Sequence, residues 1–338
     1  MKNLLLLLFL IPMFGGAQDG TLIVLNKSDD TVDLIDIATK ESKATLPTGD
    51  GPHEVAISED GNTAVVTNYG RKAWPGHSLT VIDIPSKKVV KTISLEYKAP
   101  HGIEFIDKDR VLVTCEDSKK LIQVNIDSGK TEKAIDTEQE TSHMVSYAPK
   151  VKRAFVANIR SGSVSVIDLK NDVLEKVIKT GNGAEGIALS ADGNEVWVTN
   201  RGANNIVIID VSTLETTKTL VSEKFPIRAK ATSDGKYILV SNAQSGDINV
   251  FDAKTRSLVK TIAMDITVEE KEASRLFQDF DKSPVPVGIL VHPNNQHVFV
   301  ANTNADIITV IDLNKMGITG RLTAGKEPDG LGFSNTKF

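Results

Sequence analysis

Short apolar runs rich in β-branched residues recur along the chain. Val-Ser-Val-Ile-Asp-Leu at 164–169 matches Val-Asp-Leu-Ile-Asp-Ile (32–37), Leu-Thr-Val-Ile-Asp-Ile (79–84) and Ile-Gln-Val-Asn-Ile (122–126). It also matches Ile-Val-Ile-Ile-Asp-Val (206–211), Ile-Asn-Val-Phe-Asp-Ala (248–253) and Ile-Thr-Val-Ile-Asp-Leu (308–313). The aligned positions are Asp36, Asp83, Asn125, Asp168, Asp210, Asp252 and Asp312, recurring about every 42 residues until a longer final gap. A second run precedes each copy: Leu-Ile-Val-Leu-Asn (22–26), Ala-Val-Val-Thr-Asn (64–68), Val-Leu-Val-Thr-Cys (111–115) and Ala-Phe-Val-Ala-Asn (154–158). Val-Trp-Val-Thr-Asn (196–200), Ile-Leu-Val-Ser-Asn (238–242) and Val-Phe-Val-Ala-Asn (298–302) complete the series. Turn residues such as Glu-Asp-Gly-Asn (59–62) and Ala-Asp-Gly-Asn (191–194) bound these runs, so they read as strands.

Each period holds four short strands, the repeat of a propeller blade. The spacing predicts an all-β fold: a single seven-bladed β-propeller of four-stranded blades over 18–338. The last blade is closed by both chain ends, since Leu22 opens a second strand and Gly330-Leu-Gly-Phe-Ser334 is a first strand. Thr267 to Phe280 widens the last gap and predicts a helix, acidic early and apolar at Val268, Leu276 and Phe280.

The strand ends Val-Val-Thr-Asn, Trp-Val-Thr-Asn and Phe-Val-Ala-Asn, each followed by a Val-Ile-Asp run, resemble the YVTN-repeat β-propellers. The resemblance spans nearly the whole repeat region and implies an exported propeller. That family includes surface-layer and exported binding proteins; related propellers include lactonases, streptogramin lyases and redox subunits. Residues 1–17 fit export: Lys2, an apolar run from Leu4 to Phe14, then Gly15-Gly16-Ala17. This predicts a signal peptide cut after Ala17, too short to span a bilayer, and a periplasmic or secreted protein.

Candidate chemistry appears when the first strands are aligned. Their starts read Pro52-His53-Glu54, Pro100-His101-Gly102, Ser142-His143-Met144, Ala184-Glu185-Gly186, Pro226-Ile227-Arg228, Pro286-Val287-Gly288 and Pro328-Asp329-Gly330. The middle column would ring the channel mouth with His53, His101, His143, Glu185, Ile227, Val287 and Asp329. Imidazoles and carboxylates bind divalent transition metals and move protons near neutral pH. His53, His101, His143 and Glu185 are therefore the predicted metal or acid–base set, with Arg228 orienting an anionic group and Asp329 a second carboxylate. A long connection carrying Asn68, Tyr69, Arg71, Trp74 and His77 is expected to fold over the mouth as a binding wall. Cys115 replaces the strand-end Asn; a buried filler is the plainer reading, a thiolate ligand the other. His292 and His297 fall on the opposite face.

The net charge is −5 with no basic block, which argues against a nucleic-acid groove. One cysteine excludes an internal disulfide. No P-loop, Gly-x-Ser-x-Gly elbow, c-haem site or dinucleotide fingerprint occurs, which counts against a redox accessory subunit. The expected function is binding and processing of a small polar or anionic molecule, of hydrolase, lactonase or lyase type and metal-assisted. The alternative is a non-catalytic exported propeller that binds a ligand or protein partner through the loops of the same face.

Overall fold

The computed structural model describes residues 19–71, 73–266, 280 and 282–338. The expected signal peptide and, apart from Phe280, the expected helix over 267–280 lie outside the described residues. All regular structure in the described residues is β, in seven four-stranded antiparallel sheets. Blade 1 joins the chain ends: the inner strand Pro328–Ser334 pairs with Thr21–Asn26, followed by Thr31–Asp36 and Glu41–Pro47. Blades 2 to 7 follow in sequence order, with inner strands starting at Pro52, Pro100, Ser142, Ala184, Pro226 and Pro286. The seven-bladed architecture and the shared closing blade are as the repeats predict.

The core lies between the blades, one apolar cluster at each junction. In the second strand of blade 1, Ile23 and Leu25 pack with Ala64, Val66 and Ile82 of blade 2. The alternate residues Leu22 and Val24 pack with Phe299 and Ile308 of blade 7. A strand buried on both faces needs apolar residues at every position, which is why these runs are continuous rather than alternating. Each fully buried Val, Ile or Leu contributes about 1.5–3 kcal/mol of transfer free energy. Outer strands are exposed at about every second position, as Val173–Lys179 is, and mix charged residues with exposed aliphatic ones such as Val173 and Val221.

The repeated aspartate closes each third-to-fourth-strand turn. Its carboxylate accepts a backbone N–H two or three residues on: Asp36 from Thr39 N at 2.7 Å, Asp168 from Lys170 N at 2.8 Å, Asp252 from Thr255 N at 2.7 Å. Asn125 does the same for Ser128 at 2.8 Å.

Candidate functional site

Every inner strand carries a β-bulge near its start. In blade 2, Pro52 pairs with Asn68 and Val55 with Val66, so His53 and Glu54 together face Thr67. The same irregularity follows Pro100, Ser142, Ala184, Pro226 and Pro286. A bulge re-aims side chains, and here it turns the second and third residues of each inner strand toward the channel axis. In blades 2 and 3 the threonine before the strand-end residue locks this geometry. Thr67 Oγ1 accepts from Glu54 N at 3.1 Å and donates to His101 O in the next blade at 2.8 Å. Thr114 repeats this, accepting from Gly102 N at 2.8 Å and donating to His143 O at 2.5 Å. Glycine fills the third position where neighbouring strands come closest: a Cβ on Gly288 would sit 2.0 Å from Asp329 O.

The bulges bring three histidines of consecutive blades into contact, His53 meeting His101 edge-on and His101 tilted over His143. Ring centroids are 4.9 Å apart for His53 and His101, and 3.7 Å for His101 and His143. Tyr69 packs against His53 at 4.4 Å and against His101 at 5.3 Å. His143 Nδ1 donates to Glu116 Oε1, and the Tyr69 hydroxyl donates to Glu116 Oε2 at 2.7 Å. On the other side, His143 Nε2 lies 3.4 Å from Glu185 Oε1, too poorly aligned for a hydrogen bond. Glu185 Oε2 is 2.7 Å from Arg201, also off hydrogen-bond alignment. Arg228 spans the channel, donating through Nη2 and Nε to Glu54 Oε1 at 2.8 and 3.1 Å. It also lies 3.6 Å from Glu185 and 3.8 Å from Asp329, which in turn is 3.5 Å from Lys27.

These groups are buried: His101 is 2%, Glu185 2%, Asp329 2% and Arg228 7% exposed. The ring read from sequence as lining the channel mouth is a packed ionic layer, because the carboxylates close onto fixed cations. Burial holds His53 down at about 4, helped by Lys27, so its ring is neutral near pH 7. Burial and the two neighbouring imidazoles push His101 well below the usual histidine range. Burial opposes charge on His143 too, but Glu116 and Glu185 outweigh it and raise its pKa. Glu185 is lowered against its burial by His143 and the two arginines. Burial raises Glu54, with Arg228 pulling the other way.

His101, Glu116 and His143 offer one ligand atom each within 4.8 Å of one another. Two buried imidazole nitrogens of this group, His101 Nδ1 and His143 Nε2, have no hydrogen-bond partner. Of the predicted residues, His53, His101, His143, Glu185, Arg228 and Asp329 do meet. Arg228 is already engaged by Glu54, however, and is not a free anion clamp. The predicted wall behaves differently. The stretch is a continuation of the strands Thr63–Arg71 and Trp74–Asp83, and Tyr69 alone of its named residues packs against the histidines. Asn68 is buried within blade 2, donating to Thr80 Oγ1 at 3.0 Å. Arg71 grips Asp30 of blade 1 at 2.8 and 2.9 Å. Trp74 is 75% exposed, and His77 is exposed too. Cys115 is the apolar filler, packed with Val113 and Ile122 and pushed up to about 12 by burial. His292 is buried on the opposite face, its Nε2 3.1 Å from Asp19 O.

Glu116, Lys27 and Arg201 escaped the sequence reading. Each follows the strand-end residue, in a column that reads Lys27, Tyr69, Glu116, Ile159, Arg201, Ala243 and Thr303. Aligning that column beside the histidine column would have found them.

The fold and its inward-turned bulges define a repeat-built propeller with a polar cluster at one end of the channel. The chain belongs to the YNCE-like beta-propeller family, whose model matches residues 14–111 and 105–271. It is 25% identical over 180 residues to the uncharacterized protein YncE of Salmonella typhimurium, and likewise to that of Salmonella typhi. That alignment takes in 52% of this chain and 49% of each relative, so the chain spans about half the length of the curated relatives it matches. A functionally unknown protein from Desulfotomaculum acetoxidans superposes with a TM-score of 0.76 at 14% identity, over 94% of this chain and 100% of that one. Kuenenia stuttgartiensis hydrazine synthase gives 0.67 at 17% identity, over 82% and 88% of the chains. Dihydro-heme d1 dehydrogenase NirN gives 0.64 at 17%, over 90% and 63%. These likenesses are of fold alone. Among the described residues there is no helix long and apolar enough to cross a membrane.

Proposed function

We propose that the protein holds a divalent transition-metal ion between His101, His143 and Glu116, and uses it on a small polar or anionic molecule. The chemistry such a centre supports is of the hydrolase, lactonase or lyase kind. One observation carries this reading: His101 Nδ1 and His143 Nε2 are buried without a hydrogen-bond partner beside the Glu116 carboxylate. A buried nitrogen left unsatisfied costs about 1–3 kcal/mol, which a bound ion would recover. Two imidazoles and a carboxylate are a donor set for zinc and other first-row metals, and leave coordination positions for water or substrate. The Tyr69 hydroxyl on Glu116 Oε2 would orient that ligand from behind.

Elemental analysis and calorimetric titration with zinc, manganese and copper test the reading. The expected result is near-stoichiometric metal, lost in His101→Ala and Glu116→Gln and kept in His53→Ala. Loss in His53→Ala as well would restore the donor set read from sequence, His53, His101, His143 and Glu185. A protein that neither carries nor takes up metal refutes the proposal.

A second reading is a non-catalytic exported propeller that binds a ligand or partner. It is favoured by the closed state of the cluster, whose carboxylates already have cations. Exposed Trp74 on the extended hairpin would then belong to the binding face. Both readings place the protein in the periplasm or outside the cell, on the strength of Lys2, the Leu4–Phe14 run and Gly15-Gly16-Ala17. N-terminal sequencing of the exported form should begin at Gln18; a form retaining Met1 in the cytoplasm would overturn that placement.

A further inference from the structure

Beyond the ionic layer the channel widens into a well of about 500 Å³, lined by the inner strands of all seven blades. Glu54 and Arg228 lie at its closed end. Its walls carry Ile103, Ile187, Ile289 and Leu331, and each inner strand is the edge strand of its sheet, turned toward the lumen. Two residues further along each inner strand lies a second ring, set by pairing with the middle of the second strand. This position is Ala56, Ser146, Ala188, Leu290 or Gly332 in five blades, and it is charged in the other two: Glu104 in blade 3 and Lys230 in blade 6.

These two charges stand three blades apart, on opposing walls. One ring earlier, Glu54 and Arg228 meet across the channel at 2.8 Å. Glu104 and Lys230 make no ion pair with each other. Glu104 Oε2 accepts from Tyr147 N at 2.9 Å, while Oε1 and the Lys230 ammonium have no partner among the described residues. Burial pushes Glu104 up to about 7, and Lys230 pulls it down only in part. The well thus offers an acceptor, a donor, apolar walls and strand edges, in a volume within the roughly 300–1,000 Å³ range of small-molecule pockets.

We propose that this well is a second ligand site, separate from the histidine cluster, for an amphoteric molecule the size of a dipeptide. The ammonium end binds Glu104, the carboxylate end binds Lys230, and the body lies along the apolar wall. Opposite charges on opposite walls select a ligand with separated ends, and a dipeptide places its termini about 6 Å apart. Its peptide group pairs with an inner-strand edge.

The test is calorimetric titration of the purified protein at pH 8 with alanyl-leucine, N-acetyl-alanyl-leucine and alanyl-leucine amide. The expected result is one-to-one binding of the free dipeptide. Each blocked form should bind about tenfold or more weakly, since each loses one charge-assisted contact. Glu104→Gln should erase the penalty of acetylation, and Lys230→Met that of amidation, whereas a structural role would not exchange them in this way. Absence of binding by the free dipeptide overturns the proposal, as does equal binding of all three ligands. His101→Ala and Glu116→Gln should bind the dipeptide as the parent does, so failure of the metal reading is distinguishable from failure of this one.

Discussion

Removing Arg228 should destabilise the protein mainly through Glu54. Arg228 donates twice to Glu54 Oε1, at 2.8 and 3.1 Å, and faces Glu185 and Asp329 at 3.6 and 3.8 Å. At an effective dielectric of about 20, unit charges 4 Å apart interact by about 4 kcal/mol. Breaking a buried pair by deleting one partner costs about 3–5 kcal/mol. The three carboxylates do not share this equally. Glu185 retains Arg201 at 2.7 Å and Asp329 retains Lys27 at 3.5 Å, whereas Glu54 forms its ion pair with Arg228 alone among the described residues. Arg228→Met, close in volume, should therefore cost about 4 kcal/mol. Glu54→Gln in that background removes the stranded charge and should recover about 2 kcal/mol, although the same change in the parent destabilises. Urea unfolding of the parent, both single variants and the double variant gives the coupling energy. Additivity within about 0.5 kcal/mol would refute the claim that Glu54 is the group Arg228 neutralises.

Three further outcomes follow from the blade geometry. Glu104 is raised by burial from 4.5 to about 7, so the folded state binds the extra proton. Its contribution is present below about pH 4.5 and is lost as pH rises through 7; Glu104→Gln should flatten the parent's stability–pH curve by at most about 3 kcal/mol over that window, and parallel urea midpoints would sink the assignment. Cys115→Asn restores the residue of the other six blades yet should destabilise by about 1–3 kcal/mol, because Asn158 and Asn302 bond Ser165 and Thr309 seven residues on, where blade 3 has Ile122. A neutral or stabilising result in thermal unfolding would count against that pairing rule. Thr67→Val leaves Glu54 N and His101 O without their shared hydroxyl and should cost about 1–3 kcal/mol. An unchanged midpoint would show that the latch between blades 2 and 3 contributes nothing net.

The repeats made the fold legible because each strand has two buried faces, so burial writes itself as an unbroken apolar run at a fixed period. The histidine column was legible for a related reason: once seven copies are aligned, a residue the core does not need stands out. What the alignment could not convey is closure. His101 and Glu185 sit in the column expected to ring the channel mouth, and the bulge turns them inward onto Glu116, Arg201 and Arg228. Pairing across the axis joins Glu54 to a residue 174 positions away, and no local pattern encodes that distance. The connection from Asn68 to Ser78 misled because its Gly and Pro read as loop, whereas Gly70 pairs with Pro75 and Arg71 with Trp74 in an extended hairpin.

The seven copies also supply an internal control on what the fold requires. Every blade has the same inward bulge, so every blade could present any side chain at the second inner-strand position. Blades 6 and 7 present Ile227 and Val287, which pack with Ala243 and Val285 in an ordinary apolar cluster. Blades 1 to 5 present Asp329, His53, His101, His143 and Glu185, backed by Lys27, Tyr69, Glu116 and Arg201. The fold therefore accepts aliphatic residues there, and buried ion networks replaced by well-packed apolar groups are often equally or more stable. Stability alone does not explain a contiguous polar arc that leaves His101 Nδ1 and His143 Nε2 buried and without a hydrogen-bond partner. The arc costs free energy that the apolar arc beside it avoids, and the proposed metal, by taking up those two nitrogens, would account for the difference.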